Sequence, residues 1–81
     1  MSYATTNQDE QALQYFQQAV QLDPKNPPGY FNLAVEQERM GKSREALATY
    51  KKFLALSSAT EFAELRKKAV DAVARLERRS Q

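Results

Sequence analysis

The 81-residue chain contains no cysteine, no histidine and no tryptophan. Without cysteine, disulfide bonds, thiolate nucleophiles and zinc–sulfur sites are excluded. Without histidine, the commonest acid–base residue and the commonest metal ligand are missing. Only two glycines are present, which excludes a glycine-rich phosphate-binding loop. We therefore predict a protein that is not an enzyme, with no catalytic residues, no cofactor and no metal site.

The carboxylates offer no replacement for the missing catalytic groups. The close acidic pairs are Asp9 with Glu10 and Glu36 with Glu38. Residues one or two positions apart on a helix point in different directions, so neither pair forms a catalytic dyad.

Long hydrophobic runs are also absent. No segment approaches the ~20 apolar residues that a membrane-spanning helix needs, so we predict no membrane insertion. Residues 1–10 (MSYATTNQDE) have neither the basic start nor the apolar stretch of a signal peptide. We expect a cytoplasmic location.

Charge is divided unevenly along the chain. Residues 1–41 hold two basic and five acidic residues, whereas residues 42–81 hold ten basic and five acidic residues. Basic and acidic residues are interspersed in this half, and stacking aromatic residues do not interleave with its basic groups. The basic groups are residues 51–52, residues 66–68, and Arg75 with residues 78–79. This pattern is typical of solvated helix surfaces and does not favour a nucleic-acid partner.

Glycine and proline divide the chain into four helix-length pieces, because they occur only at Pro24, at residues 27–29 and at Gly41. Apolar residues recur at helical spacing in each piece, and no piece alternates as a strand does. We predict an all-α fold of four antiparallel helices, at about residues 8–22, 28–40, 43–57 and 60–79.

Three helix ends carry sequence signals. Asn7 followed by Glu10 is typical of a capped helix start. Gly41 occupies the place where a left-handed residue ends a helix. Ser43 is a candidate N-cap of the third helix.

The fourth piece is the most clearly amphipathic. One predicted face is apolar, and the opposite face is charged. The apolar face comprises Phe62, Leu65, Ala69, Ala72, Val73 and Leu76, and the charged face comprises Glu64, Lys67, Lys68, Asp71, Arg75 and Arg78.

The sequence repeats itself with a period of 34 residues. Four pairs of similar residues share this spacing, and a regular period of this kind indicates stacked helical hairpins. The pairs are residues 12–13 with 46–47, Phe16 with Tyr50, Val20 with Leu54, and Leu22 with Leu56. The complete unit is residues 27–60.

This unit resembles the tetratricopeptide repeat (TPR) family. The matching residues are Tyr30, residues 32–34 (Asn-Leu-Ala), Gly41, residues 45–46 (Glu-Ala), Tyr50 and Leu56. The unit departs from the family at Gln37, Phe53 and Ser58, where tyrosine, alanine and proline are usual. Phe53 places a ring where helices normally approach closely.

The resemblance implies a segment of a right-handed α-solenoid with about one and a half repeats. Residues 7–26 correspond to the second helix of a truncated repeat, residues 27–60 to a complete repeat and residues 61–79 to a capping helix. Residues 1–6 are either the remnant of a missing first helix or an unrelated leader. The chain is either a fragment of a longer array or a module covered by another chain.

The fourth helix requires a shifted register. A strict 34-residue period would bury Glu64, Lys67 and Asp71 without partners, which is too costly. A shift of two residues aligns Phe62 with Tyr30 and places every charge in water. We therefore predict a shortened loop before this helix.

The resemblance also implies a function, since TPR arrays bind peptides or proteins on a concave surface formed by the first helix of each repeat. The corresponding candidate residues are Phe31, Asn32, Val35, Glu38 and Arg39. The alternative for Phe31 and Val35 is that they pack on a missing helix or on a neighbouring chain.

A second functional hypothesis is self-association. The apolar face around Ala12, Leu13 and Phe16 would be uncovered without a preceding helix, and exposed apolar faces favour association. The chain would then form a homo-oligomer, as a dimer joined through this open N-terminal face.

Overall fold

The computed structural model describes residues 7–58 and 60–79. Within these residues the chain forms four α-helices and no strand, which confirms the predicted all-α class. The helices are α1 (Asn7–Leu22), α2 (Pro27–Arg39), α3 (Ser43–Leu56) and α4 (Ala63–Arg79). Each helix packs on the next helix along the chain. An ion pair between Asp9, near the start of α1, and Arg39, at the end of α2, reflects their antiparallel arrangement.

The start of α2 depends on proline. Pro27 and Pro28 occupy its first turn, where the missing N–H groups would have no intrahelical partner in any case. α1 begins at Asn7 and carries Asp9 and Glu10 in its first turn, where the helix dipole favours negative charge. The predicted cap at Asn7 depends on a side chain outside the described part of the structure.

The turn between α2 and α3 is built around Gly41, which has a φ of 81° as predicted for a left-handed helix end. The Gly41 N–H donates to the Glu38 carbonyl at 3.0 Å, and the Lys42 N–H donates to the Gln37 carbonyl at 2.9 Å. These two bonds form a Schellman motif. The predicted N-cap at Ser43 is wrong: Lys42 already occupies that position, and its carbonyl accepts the Ala46 N–H at 2.9 Å.

Alanine allows the helices to approach closely in the core. Ala34, Ala46 and Ala69 have no exposed surface, and small side chains permit interhelical distances of about 8–10 Å. Phe53 and Leu76 are the largest fully buried side chains and fill the remaining space.

The ring of Phe53 joins three parts of the chain. It lies on α3, with its centroid 5.4 Å from that of Phe31 on α2 and 6.5 Å from that of Phe62, just before α4. Both contacts are edge-to-face, and each such pair is worth about 0.5–1.5 kcal/mol beyond simple burial. The phenylalanine that departs from the family pattern therefore lies entirely within this chain's own core.

The register of α4 matches the prediction at its apolar positions. Ala69, Ala72 and Leu76 are buried, and Phe62 and Leu65 pack against the same cluster. The predicted shortened loop is wrong, because residues 57–62 separate α3 from α4 whereas residues 23–26 separate α1 from α2. The longer connection arises because Ser58 Oγ accepts the Glu61 N–H at 3.1 Å and holds the chain in a turn.

A second prediction about α4 is wrong at Arg66. Every charge was expected to face water, yet Arg66 is half-buried. Its Nη1 donates to the carbonyls of Leu54 at 2.7 Å and Ser57 at 2.9 Å, and to Ser57 Oγ at 2.7 Å. The last carbonyls of a helix lack intrahelical partners and attract positive charge, so Arg66 completes the end of α3.

Two further predictions concern the origin of residues 1–6 and the absence of membrane insertion. Residues 1–6, which were predicted to be either the remnant of a missing first helix or an unrelated leader, lie outside the described residues. None of the helices in the described part is both long enough and apolar enough to cross a membrane.

We expect Arg66→Ala to lower the free energy of unfolding by about 1.5–3 kcal/mol, because hydrogen bonds from a charged donor are lost and the α3 carbonyls remain half-buried. Lys67→Ala is the matched control, since Lys67 is the adjacent basic residue and is exposed. Urea denaturation of both variants measures the difference. Equal stability of the two variants would contradict this role for Arg66.

Candidate functional site

The five residues predicted to bind a ligand all lie on α2. Phe31, Val35 and Glu38 follow one another at helical spacing, so they form a continuous strip. Asn32 and Arg39 lie beside this strip and are exposed. The structure thus brings all five residues together on one side of a single helix.

Phe31 and Val35 form the apolar part of the strip. Both are half-buried and pack against the buried cluster of the same chain. The Phe31 ring lies 6.0 Å from the Tyr50 ring and 5.4 Å from the Phe53 ring, edge to face in both cases. Their inner sides are thereby held by the core, while part of each side chain stays accessible.

Glu38 connects three helices. It accepts hydrogen bonds from the Tyr50 hydroxyl on α3, at 3.1 Å, and from Arg75 Nε on α4, at 3.1 Å. A second Arg75 nitrogen, Nη2, bonds the same carboxylate oxygen, Oε2. The Glu38 side chain is only 18% exposed. Sequence reasoning placed Glu38 on the surface strip but missed Arg75, because no local spacing relates residues on different helices.

This network has electrostatic consequences. Burial raises the pKa of the Tyr50 hydroxyl well above its ordinary value, and the negative charge of Glu38 and its hydrogen bond act in the same direction. The hydrogen bond to Glu38 is the main reason that the pKa of Arg75 is also raised. Tyr50 therefore remains a neutral donor, and Arg75 remains a cation.

The polar edge of the strip is more open. Among the described residues the Asn32 side chain has no hydrogen-bond partner. Arg39 Nη2 lies 3.8 Å from Asp9 Oδ1, and the Arg39 side chain is 67% exposed. The Asp9 side chain is 19% exposed, so only the Arg39 end of this pair lies in solvent. At 3.8 Å the contact is long, and Arg39 can turn towards another anion at small cost.

Two polar residues of α2 are buried on other sides of the helix. Gln37 replaces the family's tyrosine, and its Oε1 accepts a hydrogen bond from the Thr49 hydroxyl at 2.7 Å. Glu36 is 5% exposed, and its Oε2 has no hydrogen-bond partner. Sequence reasoning considered Glu36 only beside Glu38. The structure gives these two carboxylates separate surroundings, as their spacing predicts.

The strip is a surface rather than a cavity. Shallow depressions lie at residues 41–45 and at residues 60–65, and neither includes any of the five strip residues. Within the described residues, no group of three or more carboxylates is arranged to hold a metal ion. An open, partly apolar strip on a helix suits contact with a polypeptide better than enclosure of a small molecule.

Comparison with known families gives two matches. A family model described as a TPR repeat matches residues 2–41, and a model described as a tetratricopeptide repeat matches residues 27–60. Together they span residues 2–60. No curated protein and no solved structure matches the chain significantly.

The raised pKa of Tyr50 makes stability sensitive to alkaline pH. The unfolded chain loses this proton near the ordinary pKa of 10.0, whereas the folded chain keeps it to higher pH. The stabilisation is complete below pH 10 and is lost as the pH rises above it. We expect Tyr50→Phe to cost about 1 kcal/mol at neutral pH and to weaken the alkaline decline.

The measurement is urea denaturation at a series of pH values on both sides of 10. Tyr15→Phe is the matched control, because Tyr15 is 69% exposed and should retain the parent profile. Identical alkaline slopes for the parent and Tyr50→Phe would refute the role assigned to this hydroxyl.

Proposed function

The chain belongs to the tetratricopeptide repeat family, whose repeats generally mediate protein–protein interaction, and we propose that it is a non-enzymatic scaffold that binds a peptide or protein segment along α2. The contact surface is the strip of Phe31 and Val35, with Asn32 and Arg39 beside it. Glu38 acts indirectly by holding Arg75 at the edge of the strip.

The observation that carries this proposal is the combination of anchoring and exposure at Phe31 and Val35. Their packing against the buried cluster restricts their rotamers before any ligand arrives. Ordering flexible side chains on binding costs about 0.5–1.5 kcal/mol each, and this cost is reduced here. A pre-ordered apolar strip can therefore accept apolar side chains of a partner efficiently.

Asn32 supplies the polar recognition. A side-chain amide both donates and accepts hydrogen bonds, which matches the N–H and C=O groups of an extended backbone. Arg39 adds a cation at the far end of the strip, where it can meet an acidic side chain or a carboxyl terminus. Backbone recognition by Asn32 with apolar contacts from its neighbours favours a peptide ligand.

The alternative function, dimerisation through the face around Ala12, Leu13 and Phe16, has less support. These three residues are half-buried rather than exposed, so less apolar surface is offered than the sequence suggests. The cytoplasmic location and the absence of a nucleic-acid partner stay predictions.

We expect Asn32→Ala to weaken peptide binding about tenfold, which corresponds to about 1.4 kcal/mol for a lost hydrogen-bonding group. Asn32 is exposed, so helicity and stability should be unchanged. The experiment selects binders from a random peptide library and measures their affinity by fluorescence polarisation.

Val35→Thr is a second variant of similar shape that makes the strip more polar, and it should weaken the same peptides. Lys52→Ala is the control, because Lys52 is an exposed residue of α3 outside the strip. Selected peptides that bind all three variants and the parent equally would rule out this surface.

A further inference from the structure

Glu36 on α2 is a buried charged residue whose position no contact described above explains. It is only 5% exposed, and within residues 7–58 and 60–79 nothing donates a hydrogen bond to its enclosed Oε2 atom. The same residues supply no ion pair to Glu36. Burying a carboxylate without a donor destabilises a folded chain, so the Glu36 carboxylate does not serve the stability of this fold.

Glu36 lies beside the strip that is proposed to bind a peptide. It comes four residues after Asn32 and three residues before Arg39, and side chains at these spacings are neighbours, with Cβ atoms about 5–6 Å apart. Asn32 and Arg39 are both exposed. Arg39 also contacts Asp9, so this edge of α2 borders α1. The unpaired carboxylate is therefore flanked by exposed polar residues along the helix.

The two helices around Glu36 carry an excess of negative charge. α1 and α2 together contain four acidic residues and a single basic residue, Arg39. Arg39 contacts Asp9, and Glu38 is paired with Arg75 of α4. The remaining acidic residue of α1 is exposed to solvent, whereas Glu36 is buried. A group that pairs with Glu36 must therefore bring a positive charge from outside these helices.

We propose that Glu36 determines the specificity of the binding surface by accepting a lysine or arginine side chain of the bound polypeptide. This inference rests on the function proposed above and names the chemistry of the ligand at one position. The ligand cation draws the carboxylate outward beside Asn32. Since Oε2 has no hydrogen bond to break, this movement costs little more than a change of rotamer. The carboxylate gains charge-assisted hydrogen bonds in return.

A basic side chain fits this site better than a metal ion does. The described part of the chain contains no group of three or more side chains that could hold a metal ion. An ammonium or guanidinium group requires only one carboxylate. A guanidinium also presents its N–H donors in a planar fork that matches both carboxylate oxygens.

The spacing along α2 predicts where the basic residue lies in the ligand. Glu36 follows Asn32 by about one helical turn, which is a rise of about 5.4–6 Å. An extended peptide advances about 3.3 Å per residue. The basic residue should therefore lie within about two positions of the backbone unit that Asn32 binds.

The first measurement determines whether the Glu36 carboxylate has a structural partner. Glu36→Met removes the charge, and methionine is a good helix former. The urea midpoint of this variant should equal or exceed that of the parent, because no hydrogen bond or ion pair is lost. A clearly lower midpoint would overturn the proposal, since it would show that the carboxylate stabilises the fold.

The second measurement determines the coupling between Glu36 and the ligand cation. Peptides selected on the parent chain from a random library are synthesised with both termini blocked, and again with the basic residue replaced by glutamine. The parent should bind the basic peptide at least about tenfold more tightly than its glutamine analogue, as measured by fluorescence polarisation. Glu36→Gln should bind the two peptides alike. Glu64→Gln, at an exposed carboxylate of α4, is the charge-matched control and should keep the tenfold preference.

The outcomes separate this proposal from the function on which it rests. Peptides that require Asn32 but show no preference for a basic residue, or that keep this preference in Glu36→Gln, would overturn the Glu36 contact alone. Peptides whose basic residue depends on Glu36, but which bind Asn32→Ala and Val35→Thr like the parent, would support the cation contact and overturn the strip. A parent chain that selects no peptide would overturn both.

Discussion

The packing of a single aromatic ring, that of Phe53, determines how the three C-terminal parts of the chain are arranged. The ring is completely buried on α3 and touches Phe31 on one side and Phe62 on the other. Fully buried alanines surround it and allow the helices to close over it. Since protein interiors are close-packed, a ring of this size leaves little freedom in the relative positions of α2 and the start of α4.

The same packing prepares the candidate binding surface. Phe31 contributes one side of its ring to the core and leaves the remainder accessible, so the strip on α2 is an outward extension of the core itself. Glu38 adds a polar connection by accepting hydrogen bonds from Tyr50 and Arg75. Stability and the proposed recognition therefore depend on shared residues. The Glu38 carboxylate, which sequence reasoning assigned to a ligand, holds helices together instead.

Local patterns predicted most of the fold. The bounds of the helices follow from apolar periodicity and from the positions of proline and glycine. Gly41 follows the end of α2, where the backbone adopts a positive φ that glycine tolerates without strain. The apolar face of α4 was predicted from helical spacing, and its register from the cost of burying unpaired charge. Predictions were wrong where a side chain acts at a distance, as with Arg66 at the end of α3, or where a turn forms from its own hydrogen bonds, as at Ser58.

The sequence by itself determined the secondary structure, the repeat period and the family, because these depend on the spacing of residue types along one chain. It also placed the five candidate residues on one helix. Only the tertiary structure decided which charges are paired and which apolar residues remain open: Glu38 finds Arg75 from a different helix, and Tyr15 and Leu22 remain exposed. The physical reason is that pairing and burial depend on the distance between helices, which periodicity along a single helix does not specify.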